Sequence, residues 1–97
     1  MPERLKMDTK RISFKVKDRI FDLIDLAFDL KEVGHDLFLS YSPHVNAVDI
    51  RLYRNGWFPG SEPSYKNTIY LDEQLNPEVF RDFLTVTKNL SEIIYGD

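Results

Sequence analysis

The stretch Leu37-Phe-Leu-Ser-Tyr41-Ser-Pro-His44-Val-Asn-Ala-Val-Asp-Ile-Arg51-Leu-Tyr-Arg-Asn-Gly56 decides the fold. Leu37 to Tyr41 reads as one strand running into the turn Ser42-Pro43-His44. Val45 to Tyr53 reads as a second, with Val48, Ile50 and Leu52 alternating against Ala47, Asp49, Arg51 and Tyr53. Asn55-Gly56 is a turn dipeptide, because both residue types tolerate positive φ. Beyond it, Phe58-Pro-Gly-Ser-Glu-Pro-Ser64 is a loop inside the domain, since Tyr65 to Leu71 alternates again, Ile69 and Leu71 against Thr68 and Tyr70. Connections this short predict an antiparallel meander.

Helices are expected on either side. Downstream, Asn76 suits an N-cap and Pro77 the first helical position, where its missing N–H costs nothing. Val79, Phe83, Val86, Leu90 and Ile93 then form one apolar stripe, with Gly96 closing the helix. Upstream, Ile20, Leu23, Ile24, Ala27 and Leu30 predict a helix from about Asp18 to Val33, ended by Gly34. The piece before it is ambiguous. Ile12, Phe14 and Val16 alternate as in a strand, while Ile12, Val16, Ile20 and Leu23 also fall at helical spacing. An extended or irregular lead-in is the expectation, giving a basic segment 1–17 and a single domain over 18–97. The predicted class is α+β, in the order α-β-β-β-α. Two helices pack on one face of a three-stranded antiparallel sheet, the face of Leu37, Leu39, Tyr41, Val48, Ile50, Leu52, Ile69 and Leu71.

Whole-chain properties exclude several function classes. Ninety-seven residues suffice for one core. With no cysteine there is no disulfide framework, thiolate metal site or cysteine nucleophile. No apolar run approaches the ~20 residues of a membrane span, and the N-terminus lacks a secretory h-region, so a cytoplasmic setting is expected. Net charge is −3, but residues 1–19 hold seven bases and three acids, which leaves −7 on the remainder. Walker loops, dinucleotide fingerprints, nucleophile elbows and zincin helices do not occur. No cofactor is expected, and a non-enzymatic role is favoured over catalysis.

Four features remain as functional candidates. Asp18, Asp22, Asp25, Asp29 and Glu32 stay within about 40° of one line on a helix. A solvated side explains acids there, but a single sign throughout suits docking to a basic partner, with Asp22, Asp25 and Asp29 at its centre. Phe21 and Phe28 flank that line on one side and Leu26 and Val33 on the other, so that either the second helix and the N-terminal segment wrap this apolar girth or a second copy does, as a homodimer. In the motif of Tyr41, His44 and Asn46, either Ser42, His44 and Asn46 hydrogen-bond a tight turn through their side chains, or His44 marks a small hydrolase or metal site, with His35, Asp36 and Asp49 as loose partners. The second sheet face carries Phe38, Arg51, Tyr53, Lys66 and Tyr70, with Trp57 extending it or plugging the sheet edge. This face is a candidate protein-binding surface, or with the basic N-terminus a nucleic-acid-binding one.

The run Phe38-Leu-Ser-Tyr41-Ser-Pro-His44-Val-Asn46, the Ile50-Arg-Leu-Tyr53 strand and Asn55-Gly-Trp57 resemble short uncharacterised proteins of phages and prophages of Gram-positive bacteria. The likeness runs from the first helix through the third strand and does not include the basic N-terminus. It implies a small accessory or host-interaction protein and carries no activity with it.

Overall fold

The computed structural model describes residues 12–95. Its elements are α1 (Phe14–Glu32), β1 (Asp36–Ser42), β2 (Ala47–Tyr53), β3 (Tyr65–Tyr70) and α2 (Val79–Tyr95). The order α-β-β-β-α and the antiparallel sheet β1-β2-β3 are those expected.

Helix α1 starts earlier than its apolar spacing suggested. The Ser13 hydroxyl caps it by accepting the Val16 N–H at 3.2 Å. Residues 14–17 are therefore its first turn rather than an extended lead-in. Burial shows which periodicity won: Val16 is fully buried while Phe14, two residues away, is 77% exposed. A half-buried strand would have placed both on one face. Of the basic head, Lys15, Lys17 and Arg19 lie on α1, and the bases at positions 4–11 fall outside the described residues. At its other end the helix closes in a Schellman motif. Gly34 sits at φ 95°, its N–H bonds the Lys31 carbonyl, and the His35 N–H bonds that of Leu30 at 2.9 Å.

A four-residue loop, Pro43 to Asn46, joins β1 to β2, with the Asn46 N–H on the Pro43 carbonyl and Asn46 at φ 51°. Continuous α-helix begins in α2 at Val79, but Asn76 is still the cap. Its Oδ1 accepts the Glu78 N–H and its carbonyl accepts that of Val79. The Gly96 stop lies outside the described residues.

One sheet face meets both helices, α1 beside β1 and α2 beside β3. Val48, Ile50, Leu52, Ile69 and Leu71 pack there with Val16, Leu23, Leu26 and Leu30 of α1 and Val79, Phe83, Val86 and Leu90 of α2. Leu37, Leu39 and Tyr65 line the margin. Burying so continuous an apolar set, at ~25 cal/mol per Å², is what drives this layer arrangement.

Candidate functional site

The uncovered sheet face gathers the aromatic side chains. Along β1 and β2 the register opposes Phe38 to Arg51 and Asp36 to Tyr53. Phe38 is the centre of the group. Tyr53 meets it edge-on at 5.3 Å between centroids, Trp57 lies tilted at 6.4 Å, and the Arg51 guanidinium carbon stands 5.7 Å from its ring centre. Trp57 remains half exposed and Phe38 is 38% exposed, so these two rings are open to solvent, while Tyr53 is buried beneath them at 6%.

Trp57 is held there by the start of β1. Asp36 Oδ2 accepts the Trp57 N–H at 2.8 Å and its Oδ1 bonds Lys31 Nζ at 3.0 Å. The backbone N–H of Trp57 first, and Lys31 second, keep the Asp36 carboxyl below the ordinary aspartate range. Next to it, buried His35 accepts the Asn55 N–H on Nδ1 at 3.0 Å, which leaves the ring proton to Nε2 in the neutral tautomer. Gly34-His35-Asp36 thus ends a helix, opens a strand and clamps the Asn-Gly-Trp turn.

On the same face, Arg51 opposes Lys66 across β2 and β3. Like charges at directly opposed sheet positions repel. Neither residue has an ion-pair partner among the described residues, and Arg51 Nε is enclosed without a hydrogen-bond acceptor. Asp49, the nearest acid by register, is engaged by the Thr68 hydroxyl. A shallow depression bounded by Asp49, Arg51, Lys66, Asn67 and Thr68 lies over these cations.

The other candidates sit apart. Tyr70 pairs with Ala47 at the far end of the sheet, away from the Phe38 cluster. It shares a groove with Tyr41, His44, Asn46, Asp72 and Leu75. In that turn the Tyr41 hydroxyl bonds Asn46 Oδ1 at 3.1 Å, while Ser42 and His44 make no side-chain hydrogen bond among the described residues. His35 and Asp36 are not partners of His44: the seven-residue strand β1 separates them by ~20 Å. Among the described residues no group of three or more His, Cys, Asp or Glu is placed to hold a metal ion.

The acids of α1 are all exposed. Asp22 pairs with Arg19 at 3.3 Å, between two exposed side chains, a contact worth ~0.5 kcal/mol at most. Helix α2 does not wrap the apolar girth of α1: Phe21 and Phe28 are 59% and 67% exposed. The Asp36 and His35 clamp went unseen in the sequence because nothing local links residues twenty apart.

Comparison with protein-family models, curated proteins and solved structures returns no match. Among the described residues, no helix is long and apolar enough to cross a membrane.

Proposed function

We propose that the protein is a non-enzymatic binding module that engages a protein partner through its uncovered sheet face. The observation that carries this reading is the convergence of Phe38, Tyr53, Trp57 and Arg51, with the uncompensated Lys66 beside them. Aromatic and arginine side chains at the centre of an open patch are the usual anchors of protein interfaces. Two adjacent cations with no ion-pair partner among the described residues call for a carboxylate from the partner, which offsets their mutual repulsion. The partner supplied by this chemistry is an apolar segment flanked by Asp or Glu. The likeness to short phage and prophage proteins points to a host protein as its source.

The test is affinity capture from a Gram-positive host lysate with and without nuclease, using wild type, the double variant Arg51→Gln/Trp57→Ser, and the triple variant Asp22→Asn/Asp25→Asn/Asp29→Asn. A stoichiometric partner that survives nuclease, disappears with the sheet-face variant and persists with the helix variant supports the proposal. Loss with the helix variant alone moves the surface to the acidic stripe. Loss on nuclease treatment replaces the reading with nucleic-acid binding through the same aromatic and basic groups, whose affinity falls steeply with salt.

A further inference from the structure

The two edges of the sheet are treated differently. Leu71 N–H bonds the Asn46 carbonyl and Ser64 N–H that of Leu52, so even-numbered positions of β2 turn their backbone groups toward β3. Odd-numbered positions turn toward β1, where they meet Asp36, Phe38, Ser40 and Ser42. By the same alternation, Lys66, Thr68 and Tyr70 face outward on β3, and Leu37, Leu39 and Tyr41 face outward on β1.

Side chains blunt the β3 edge. Asn67 Oδ1 accepts the Thr68 N–H and Asn76 Nδ2 donates to the Tyr70 carbonyl, both at 2.8 Å. A lysine projects beside them, as on protected edges generally. Edge β1 has none of these devices. Among the described residues no side chain or backbone group bonds the outward amides and carbonyls of Leu37, Leu39 and Tyr41. The strand holds neither lysine nor proline, and its one charge is Asp36 at its start.

We infer that β1 is a self-pairing edge, and that two copies of the chain join β1 to β1, antiparallel, into one six-stranded sheet. A two-fold axis at Leu39 opposes Leu39 to its own copy and Leu37 to Tyr41, so all six outward groups of each copy's three residues meet complementary ones. Phe38 then opposes Ser40, and Asp36 opposes Ser42. Every opposed pair is free of like charge.

Helix α1 fits the same axis. Phe14, Phe21 and Phe28 recur every seven residues, all well exposed, with Ile24 beside them. Phe28 lies on the β1 side of the helix, where it and Lys31 share a depression with Leu37, Phe38 and Trp57. Asp18 and Asp22 fall on the other side, where they border Phe80 and Leu84 of α2. A β1–β1 pairing brings Phe28 and Ile24 of the two copies toward one another across the axis and keeps Asp18 and Asp22 away from it. An apolar seam flanked by an unpaired strand edge on the same axis is self-complementary, which is why the occupant is a second copy rather than an unrelated strand.

The full chain is expected to sediment as a dimer, with the amides of Leu37, Leu39 and Tyr41 protected from hydrogen exchange. Ser40→Lys and Phe28→Asp, both at exposed positions that leave the β1–β2 ladder intact, each weaken dimerisation by about tenfold or more. Because the chain is free of cysteine, Leu39→Cys gives a second readout: it oxidises to a covalent dimer across the axis, while Lys66→Cys on the other edge does not. A monomer at high protein concentration overturns the inference. If its β1 amides exchange fast, the edge is simply open; if they are protected, another part of the same chain covers it. A dimer that is indifferent to Ser40→Lys and cross-links through Lys66→Cys overturns it too.

Discussion

Asn76 ties the end of β3 to the start of α2, and replacing it separates two contributions that the structure places on one side chain. Its Oδ1 caps the helix at the Glu78 N–H, while Nδ2 donates to the Tyr70 carbonyl and, at 3.1 Å, to Asp82 Oδ2. Asn76→Ala removes all three. Loss of the cap costs ~1 kcal/mol, and the two amide hydrogen bonds about 0.5–1 kcal/mol each, since water reaches both acceptors. The expected destabilisation is about 2–3 kcal/mol, a fall in Tm on the order of 10–20 °C for a domain this size. Asn76→Asp keeps an acceptor at the helix N-terminus, where negative charge is welcome, but discards both donors and sets a carboxylate against Asp82. At pH 7 it is expected to lose as much stability as the alanine variant, and adding Asp82→Asn is expected to restore part of it by replacing repulsion with a donated hydrogen bond. Urea denaturation followed by far-UV circular dichroism measures both, through the midpoint at unchanged slope. An alanine variant within 0.5 kcal/mol of wild type, or an aspartate variant as stable as wild type at neutral pH, would refute the assignment.

Three further outcomes follow from the same geometry. Ser13→Ala should cost ~1 kcal/mol by denaturant melt; no loss would mean that the helix starts at Asp18 after all. Phe83→Ala, at a side chain 1% exposed between the helices and the sheet, should cost about 3–5 kcal/mol, and calorimetry that finds under 1 kcal/mol would place Phe83 outside the core. Asp36→Asn should flatten the acid limb of the stability curve. Its carboxyl is depressed in the folded chain, so its contribution is whole above the ordinary aspartate pKa of ~3.9 and is lost as pH falls through the lower folded value. Trp57 fluorescence between about pH 5 and pH 2 reads this, and identical acid profiles for variant and wild type would contradict it.

The fold was legible where one periodicity stood alone. Val48, Ile50 and Leu52 admit only a strand, and the Val79 to Ile93 stripe only a helix. It was illegible at Ile12 to Val16, where both periods fit and a single capping serine decides. The aromatic surface was half legible. Alternation put Phe38, Arg51 and Tyr53 on one face, and Trp57 joined them, but Tyr70 shares that face without sharing the cluster because strand length separates them. The clamp of His35 and Asp36 on residues 55–57 left no sequence signal. Both read as loose candidates for chemistry at His44, since a partner twenty positions away can be supplied only by the folded chain.

The capped edge of β3 sets a limit on assembly. Asn67 and Asn76 occupy two of the six outward backbone groups of β3, the Thr68 N–H and the Tyr70 carbonyl, which disfavours addition of a further strand on that side. A pairing along β1, as inferred above, would then leave a closed particle whose outer edges are both blunted. A chain with two open edges would instead add copies without end, as fibrils do. On that inference, the two asparagine amides favour a finite oligomer over a growing one.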